Sequence, residues 1–250
     1  MRALELEPEM EAFFARLAPE AMDAWQGATE KEIGQIEQLA GRQLPRFYRW
    51  FLMRMGRSMG PIAYETLDFS AQKVLACYAD GLFRPSSRFL MIGHESAEVM
   101  PLHVLYDFDH LARDDARVTK RHAMGGAIHN QFETFREMLA WGKCLTYCIN
   151  TFPVRCIGLL QDSGGDVLSR LDPLMKSLNF ASPIPTGPCC SIYLRDDAGM
   201  VTSSTPGDPA EFHYFHLGGW DAQRLRRILG FIQTETSIEL EVEKWEPDRG

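Results

Sequence analysis

The densest group of side chains that could do chemistry is a set of four aspartates, Asp107, Asp109, Asp114 and Asp115. A calcium loop needs oxygen ligands at alternating positions, a glycine and a terminal glutamate, and this segment lacks that pattern. The segment from Asp107 to Asp115 is polar and acid-rich, which predicts a loop. Two interpretations remain open: a solvated loop, or an acidic patch that mimics phosphates towards a protein partner.

Cysteine and histidine do not have the spacing of common metal sites. The chain contains neither Cys-x-x-Cys nor His-Glu-x-x-His. Cys144 and Cys148 lie four residues apart, and buried thiols are the simpler explanation for them. His213 and His216 lie three residues apart on a predicted strand, which places them on opposite faces and prevents them from binding one ion. We therefore predict no metal site and no cofactor.

The patterns of nucleophilic catalysis and of phosphate binding are also missing. There is no Gly-x-Ser-x-Gly elbow, and nothing in the sequence selects one Cys/His pair, because such partners meet only in space. Asp162-Ser163-Gly164-Gly165 lies between a predicted strand and a predicted helix, where amides could hold an anion. It lacks the glycine and lysine positions of a phosphate loop, so a simple turn is predicted. We predict no catalytic residue.

The composition is that of a globular chain with an acidic surface. The hydrophobic fraction is 45%, the charged fraction is 24% and the formal net charge is −8. This charge argues against a nucleic-acid partner, and it suits either a basic protein partner or plain solubility. No apolar run reaches the roughly 18 to 20 residues of a membrane helix, and no signal peptide is visible. A cytoplasmic protein without membrane contact is expected, with six free cysteines.

The elements of the first half are predicted from capping and periodicity. Thr29-Glu30-Lys31-Glu32 is a capping box that starts a helix, and Gly41 is a left-handed stop for it. Pro45 suits the first turn of the next helix. Two hydrophobic runs, residues 88–92 and 102–106, predict strands. The buried stripe of the second helix is predicted to comprise Phe47, Tyr48, Phe51, Leu52 and Met55.

The second half has the predicted order strand, helix, strand, strand, helix, strand, which is the ferredoxin-like βαββαβ arrangement. Residues 190–194 and 211–217 are expected to form an open hairpin in it. Near the C-terminus, Ile238, Leu240 and Val242 alternate with glutamates, which predicts a half-buried strand. The fold class is therefore predicted to be α+β, with one domain over residues 1–148 and a ferredoxin-like domain over residues 149–250.

Residues 29 to about 142 resemble the SUKH superfamily, which comprises bacterial toxin-immunity proteins and fungal cell-wall assembly regulators. The resemblance rests chiefly on a capped acidic helix, then Gly41, then Leu44-Pro45 and an aromatic-rich helix. Later segments that resemble the family are residues 89–93, 106–107 and 132–139. The resemblance implies that residues 1–148 form a SUKH-like domain, with helices packed on a mainly antiparallel sheet and an N-terminal helical extension.

The resemblance also implies binding rather than catalysis, because many bacterial members neutralise a cognate toxin, often a nuclease or a deaminase, by covering its active site. We therefore expect an immunity-type protein that occludes a basic protein toxin. The expected partner-binding residues are Asp107, Asp109, Asp114 and Asp115. Two alternatives remain open: a non-catalytic regulator or scaffold, as the fungal members suggest, and an enzyme of unknown class on the C-terminal half.

Overall fold

The computed structural model describes residues 3–96 and 101–246, apart from the side chains of residues 3 and 4. The chain divides into two compact units, residues 1–138 and 139–250. The division falls inside a helix and earlier than the boundary after residue 148 that the sequence predicts. Each unit combines helices with a five-stranded antiparallel sheet, so the predicted α+β class is confirmed.

The N-terminal unit is built on a meander in which the sheet order β1-β2-β3-β4-β5 follows the chain order. Every neighbouring pair is antiparallel. The strands are β1 (Leu67–Asp68), β2 (Phe89–Glu95), β3 (Leu102–Ala112), β4 (Asp115–His122) and β5 (His129–Phe132). The helices are α1 (Ala3–Leu6), α2 (Pro8–Leu17), α3 (Pro19–Met22), α4 (Glu30–Ala40), α5 (Arg46–Met55), a 3-10 turn (Gly60–Ile62), α6 (Ala71–Ala79) and the start of α7 (Phe135–Tyr147).

The corner between α4 and α5 has the capping that its sequence predicts. The backbone N–H of Glu32 donates to Thr29 Oγ1 at 3.2 Å, and the N–H of Thr29 donates to the Glu32 carboxylate at 2.7 Å. Gly41 ends α4 with a left-handed φ of 62°, which glycine adopts without steric cost. Pro45 is the N-cap of α5 rather than its first helical residue. Residues 42–45 therefore form a short connection between two fixed helix ends.

An aromatic cluster joins α5 and β3 to the start of α7. The ring centroid of Phe135 lies 5.0 Å from those of Phe51 and Phe69, and 6.1 Å from that of Tyr106. All four side chains are buried. Aromatic contacts of this kind add to the free energy of apolar burial and fix the relative orientation of the rings. The hairpin that continues from β3 is therefore mounted on a well-packed core.

The C-terminal unit is built on a sheet with the order β10-β6-β9-β8-β7, in which all neighbours are antiparallel. The strands are β6 (Val154–Gln161), β7 (Cys190–Arg195), β8 (Ala198–Ser203), β9 (Phe212–Gly219) and β10 (Glu239–Glu246). A 3-10 turn (Ile149–Thr151) precedes them, and the further helices are α8 (Val167–Ser177) and α9 (Ala222–Glu235). Leu240 and Val242 of β10 pack on the core as predicted, and Glu239 and Glu241 are exposed.

The predicted open hairpin between residues 190–194 and 211–217 is wrong, because β8 lies between these strands and pairs with both. Its centre is apolar, and Met200 and Val201 are buried. The sequence prediction missed β8 because the chain after it is rich in glycine, proline and serine, which are typical of a connection. The remaining strands lie in the order β10-β6-β9 on one side of β8, with β7 on its other side, and the ferredoxin-like assignment stays a prediction.

Candidate functional site

The segment that was predicted to be an acid-rich loop is a β-hairpin, so that prediction is wrong. Ala112 of β3 pairs with Asp115 of β4, which leaves Arg113 and Asp114 as the turn. The register of β3 against β4 shifts after Asp107, so the following residues form a bulge. Bulges turn side chains away from their regular direction. The four predicted aspartates are therefore distributed over two strands, a bulge and a turn rather than one flexible loop.

Asp107 and Asp109 share one arginine. The side chain of Asp107 is buried, and Arg88 donates to both of its oxygens, from Nε at 2.9 Å and from Nη2 at 2.8 Å. Burial alone would raise the pKa of Asp107, but the Arg88 guanidinium holds that pKa below its ordinary value. Asp109 is exposed, and its carboxylate lies 3.2 Å from Arg88 Nε. The single positive charge of Arg88 therefore offsets one of the two negative charges.

Asp115 lies beneath the hairpin. It is 1% exposed, and its Oδ2 accepts a hydrogen bond of 2.9 Å from the backbone N–H of Arg136 in the first turn of α7. A carboxylate at this position satisfies an N–H at the helix start. Burial raises the pKa of Asp115 to about 7, although the neighbouring Tyr106 hydroxyl favours the charged form. Asp115 is therefore a buried cap whose charge changes near neutral pH.

Two of the four predicted partner-binding residues cannot contact a partner in this conformation, because the side chains of Asp107 and Asp115 are buried. This corrects the expectation of a four-carboxylate surface. Asp109 in the bulge and Asp114 in the turn are exposed, and partner binding by these two stays a prediction. The argument for a basic partner now rests on the net charge of −8 and no longer on a local acidic patch.

The turn of the hairpin is strained. Arg113 and Asp114 have left-handed φ angles of 50° and 59°. In two-residue hairpin turns, these two positions are usually occupied by Asn-Gly. Two contacts hold the turn: the Asp114 carbonyl accepts from the backbone N–H of Arg46 at 3.1 Å, and Arg113 forms an ion pair with the buried Glu137. Strained backbone of this kind is concentrated at functional sites, which makes the hairpin tip a candidate.

We expect Asp114→Gly to be more stable than Asp114→Ala by about 1 kcal/mol, because only glycine adopts a left-handed φ without a clash of its Cβ. Both variants remove the carboxylate, so the difference between them isolates the backbone contribution. The midpoint of urea unfolding measures it. Equal midpoints would show that the turn does not hold Asp114 in the left-handed region in solution.

A cleft of about 640 Å³ lies between the hairpin and the α4–α5 corner. This volume is within the range of roughly 300 to 1,000 Å³ that ligand pockets have. Its apolar lining includes Leu6, Leu44, Phe108 and Leu111, and Leu111 is 65% exposed. The charged residues that line it are Arg42, Arg46, Arg49, Arg113, Asp114 and Asp115.

Three of the four cleft arginines are bound by other groups of the N-terminal unit. Arg46 donates from Nε to the Leu6 carbonyl at 2.7 Å. Arg49 Nη1 lies 2.6 Å from the Glu37 carboxylate, and Arg113 is held by its ion pair in the turn. These arginines therefore keep the corner, the N-terminal helix and the hairpin together.

Arg42 differs from the other three. It is exposed, and its guanidinium lies over the Phe108 ring at 4.7 Å from the centroid. Within residues 3–96 and 101–246 it forms no ion pair. Sequence reasoning did not select these arginines, although Arg42, Arg46 and Arg49 flank Leu44-Pro45 at intervals of four and three residues. That spacing was the available signal.

The structure brings no other predicted site together. Among the described residues, no three or more His, Cys, Asp and Glu side chains are placed to hold a metal ion. His213 is buried in β9, and His216 is half-buried three residues later. In the turn at residues 162–165, Asp162 accepts from the Gly164 N–H at 3.2 Å and from the Ser237 hydroxyl at 3.1 Å. A buried carboxylate in this place repels an anion.

A pocket of about 490 Å³ in the C-terminal unit is lined by Asp172, Lys176, Ser191 and Tyr193, among others. The Tyr193 hydroxyl donates to Asp172 Oδ1 at 2.5 Å. Burial, together with that hydrogen bond, raises the pKa of Tyr193. A tyrosine that serves as a general base needs a lowered pKa. This pocket therefore adds no support to the interpretation of the C-terminal half as an enzyme.

No helix within residues 3–96 and 101–246 is both long enough and apolar enough to cross a membrane. Comparison of the chain with protein-family models, with curated proteins and with solved structures found no significant match in any of the three. The resemblance of residues 29–142 to the SUKH superfamily therefore stays a prediction.

Proposed function

We propose that this chain is a cytoplasmic, non-catalytic immunity-type protein that binds a cognate protein toxin, nuclease-like or deaminase-like, and covers its active surface. The observation that carries the proposal is the tip of the β3–β4 hairpin. There Leu111, which is 65% exposed, stands next to a turn that is held in a strained conformation by α5 and α7.

A surface of this kind suits tight binding to a protein. Because the turn is already held in one conformation, little conformational entropy remains to be lost on association. An exposed apolar side chain with charged neighbours matches the anchor-and-rim organisation of protein interfaces. The net charge of −8 would also steer a basic toxin towards the protein at long range.

The test is co-expression with the product of the reading frame directly upstream. We expect the chain to rescue the host cell from that product and to co-purify with it. Leu111→Glu should abolish rescue because it places a charge at the centre of the contact. Leu82→Glu is the matched control, since Leu82 is 51% exposed in another connection of the same unit. The proposal fails if the unmodified chain neither rescues nor co-purifies.

A second candidate function, a non-catalytic regulator or scaffold with several partners, is favoured by a feature of the C-terminal unit. Phe212 and Tyr214 occupy alternate positions of β9 and are 37% and 59% exposed. Alternate positions of a strand share one face of the sheet, so these rings form an apolar surface on the C-terminal unit. Exposed apolar surfaces of this kind mark contact sites for other proteins.

A further inference from the structure

We propose that the cleft beside the hairpin is an anchor site for an acidic side chain of the protein partner, and that Arg42 binds its carboxylate. The proposal rests on the proposed function for the existence of a partner. It adds the chemistry of the contact: an Asp or Glu residue in an otherwise apolar segment of the partner.

The charges of the cleft favour a single carboxylate. Arg46, Arg49 and Arg113 form ion pairs with the glutamates Glu7, Glu37 and Glu137, whereas Arg42 forms no ion pair among the described residues. One uncompensated positive charge matches one carboxylate, whose charge is −1. A phosphate dianion carries more negative charge than this one arginine offsets, and a nucleic-acid strand needs several free cations along its backbone.

The guanidinium of Arg42 is preorganised for this contact. It lies over the ring of Phe108 at 4.7 Å from the centroid, and that ring stacks on Tyr106 with a centroid distance of 6.0 Å. Phe108 and Tyr106 are both buried, so the platform beneath the guanidinium is fixed. A planar guanidinium in a fixed orientation can offer two parallel N–H donors to a carboxylate.

The walls of the cleft define the rest of the partner segment. Leu44 is 4% exposed at the corner, and Leu111 is 65% exposed at the tip. Apolar side chains next to the acidic residue of the partner would bury surface chiefly against Leu111. An acidic anchor is compatible with a basic partner, because net charge acts at long range whereas contacts within a Debye length of about 8 Å depend on the local groups.

Fluorescence anisotropy of the full chain with a labelled peptide of alternating leucine and glutamate tests the proposal. We expect Arg42→Gln to weaken binding by about tenfold, the loss expected for one charge-assisted hydrogen-bonded pair. Arg42→Lys should retain part of the affinity, and Arg42→Glu should abolish binding. Arg16→Gln is the matched control, since Arg16 is exposed on α2 and does not line the cleft. Thermal unfolding confirms that each variant is folded.

Three results would overturn the anchor site: no binding of the acidic peptide, an equal loss in Arg42→Gln and Arg16→Gln, or tighter binding of either a lysine-for-glutamate peptide or a short oligothymidylate. Its failure is distinguishable from that of the proposed function. If Arg42→Glu does not affect rescue in co-expression, the proposed immunity function is retained and the anchor site is rejected. Peptide binding through Arg42 without rescue would leave the acidic-segment site standing and remove the toxin as its partner.

Discussion

We expect Asp115→Asn to raise the free energy of unfolding of the N-terminal unit relative to the unmodified chain. This gain should be larger at pH 8 than at pH 4, by an amount on the order of 4 kcal/mol. Burial raises the pKa of Asp115 from 3.8 to about 7 in the folded state. The contribution of the protonated carboxyl is therefore complete below pH 4, and it is lost as the pH rises through 7. Asparagine has no such titration, and its side-chain oxygen can still accept from the Arg136 N–H.

The measurement is urea unfolding at a series of pH values. Pulsed hydrogen exchange at a fixed labelling pH, read in peptides from α5, is the probe of unfolding. Those peptides report the N-terminal unit alone. Asp109→Asn is the matched control, because it makes the same carboxyl-to-amide change at an exposed position of the same hairpin. If the difference between Asp115→Asn and the unmodified chain stays constant from pH 4 to pH 8, the carboxyl is not buried as described.

The parts of the fold that the sequence predicted are those determined by neighbouring residues. The capping box at Thr29 and Glu32 and the left-handed stop at Gly41 are contacts within a few residues, so their signals are complete in a short window. The alternation in β10 is also local, because one face of that strand packs on the core and the other faces solvent.

The parts that were missed depend on residues distant in sequence. Asp107 is stable inside a strand because Arg88, nineteen positions earlier, binds both of its oxygens. Asp115 is buried because α7 offers it an N–H from Arg136. Neither partner is visible in a window around the aspartates, so composition alone favoured a loop.

The candidate site also depends on contacts between residues that are distant in sequence. The four aspartates attracted attention because they are close in sequence, whereas the arginines of the cleft come from the α4–α5 corner and from the hairpin turn. Their meaning depends on which of them already has a partner. Arg42 and Arg49 have the same residue type and similar surroundings in sequence, but only Arg49 lies beside a carboxylate, that of Glu37, at 2.6 Å. Which arginine has a carboxylate partner is therefore known only from the folded structure.

His103→Leu is expected to remove an acid-induced loss of stability of about 3 kcal/mol in the N-terminal unit. His103 is 0% exposed in β3, and its ring lies 5.5 Å from that of His94 and 5.6 Å from that of Phe83. Burial, together with the charges of His94 and Arg121, lowers the pKa of His103 from 6.5 to about 4. The folded state therefore favours the neutral ring, and stability falls as the pH drops from 6.5 towards 4.

The same experiment separates this effect from that of Asp115, because the two groups act in opposite directions. Between about pH 4 and 6.5 the His103 contribution increases with pH while the Asp115 contribution decreases, so the two contributions largely cancel in the unmodified unit. Asp115→Asn should expose a rise in stability with pH, and His103→Leu should expose a fall. His129→Leu is the matched control, because His129 is exposed at the start of β5. A flat profile in both single variants would contradict the burial of both groups, because the cancellation requires two titrations of opposite sign.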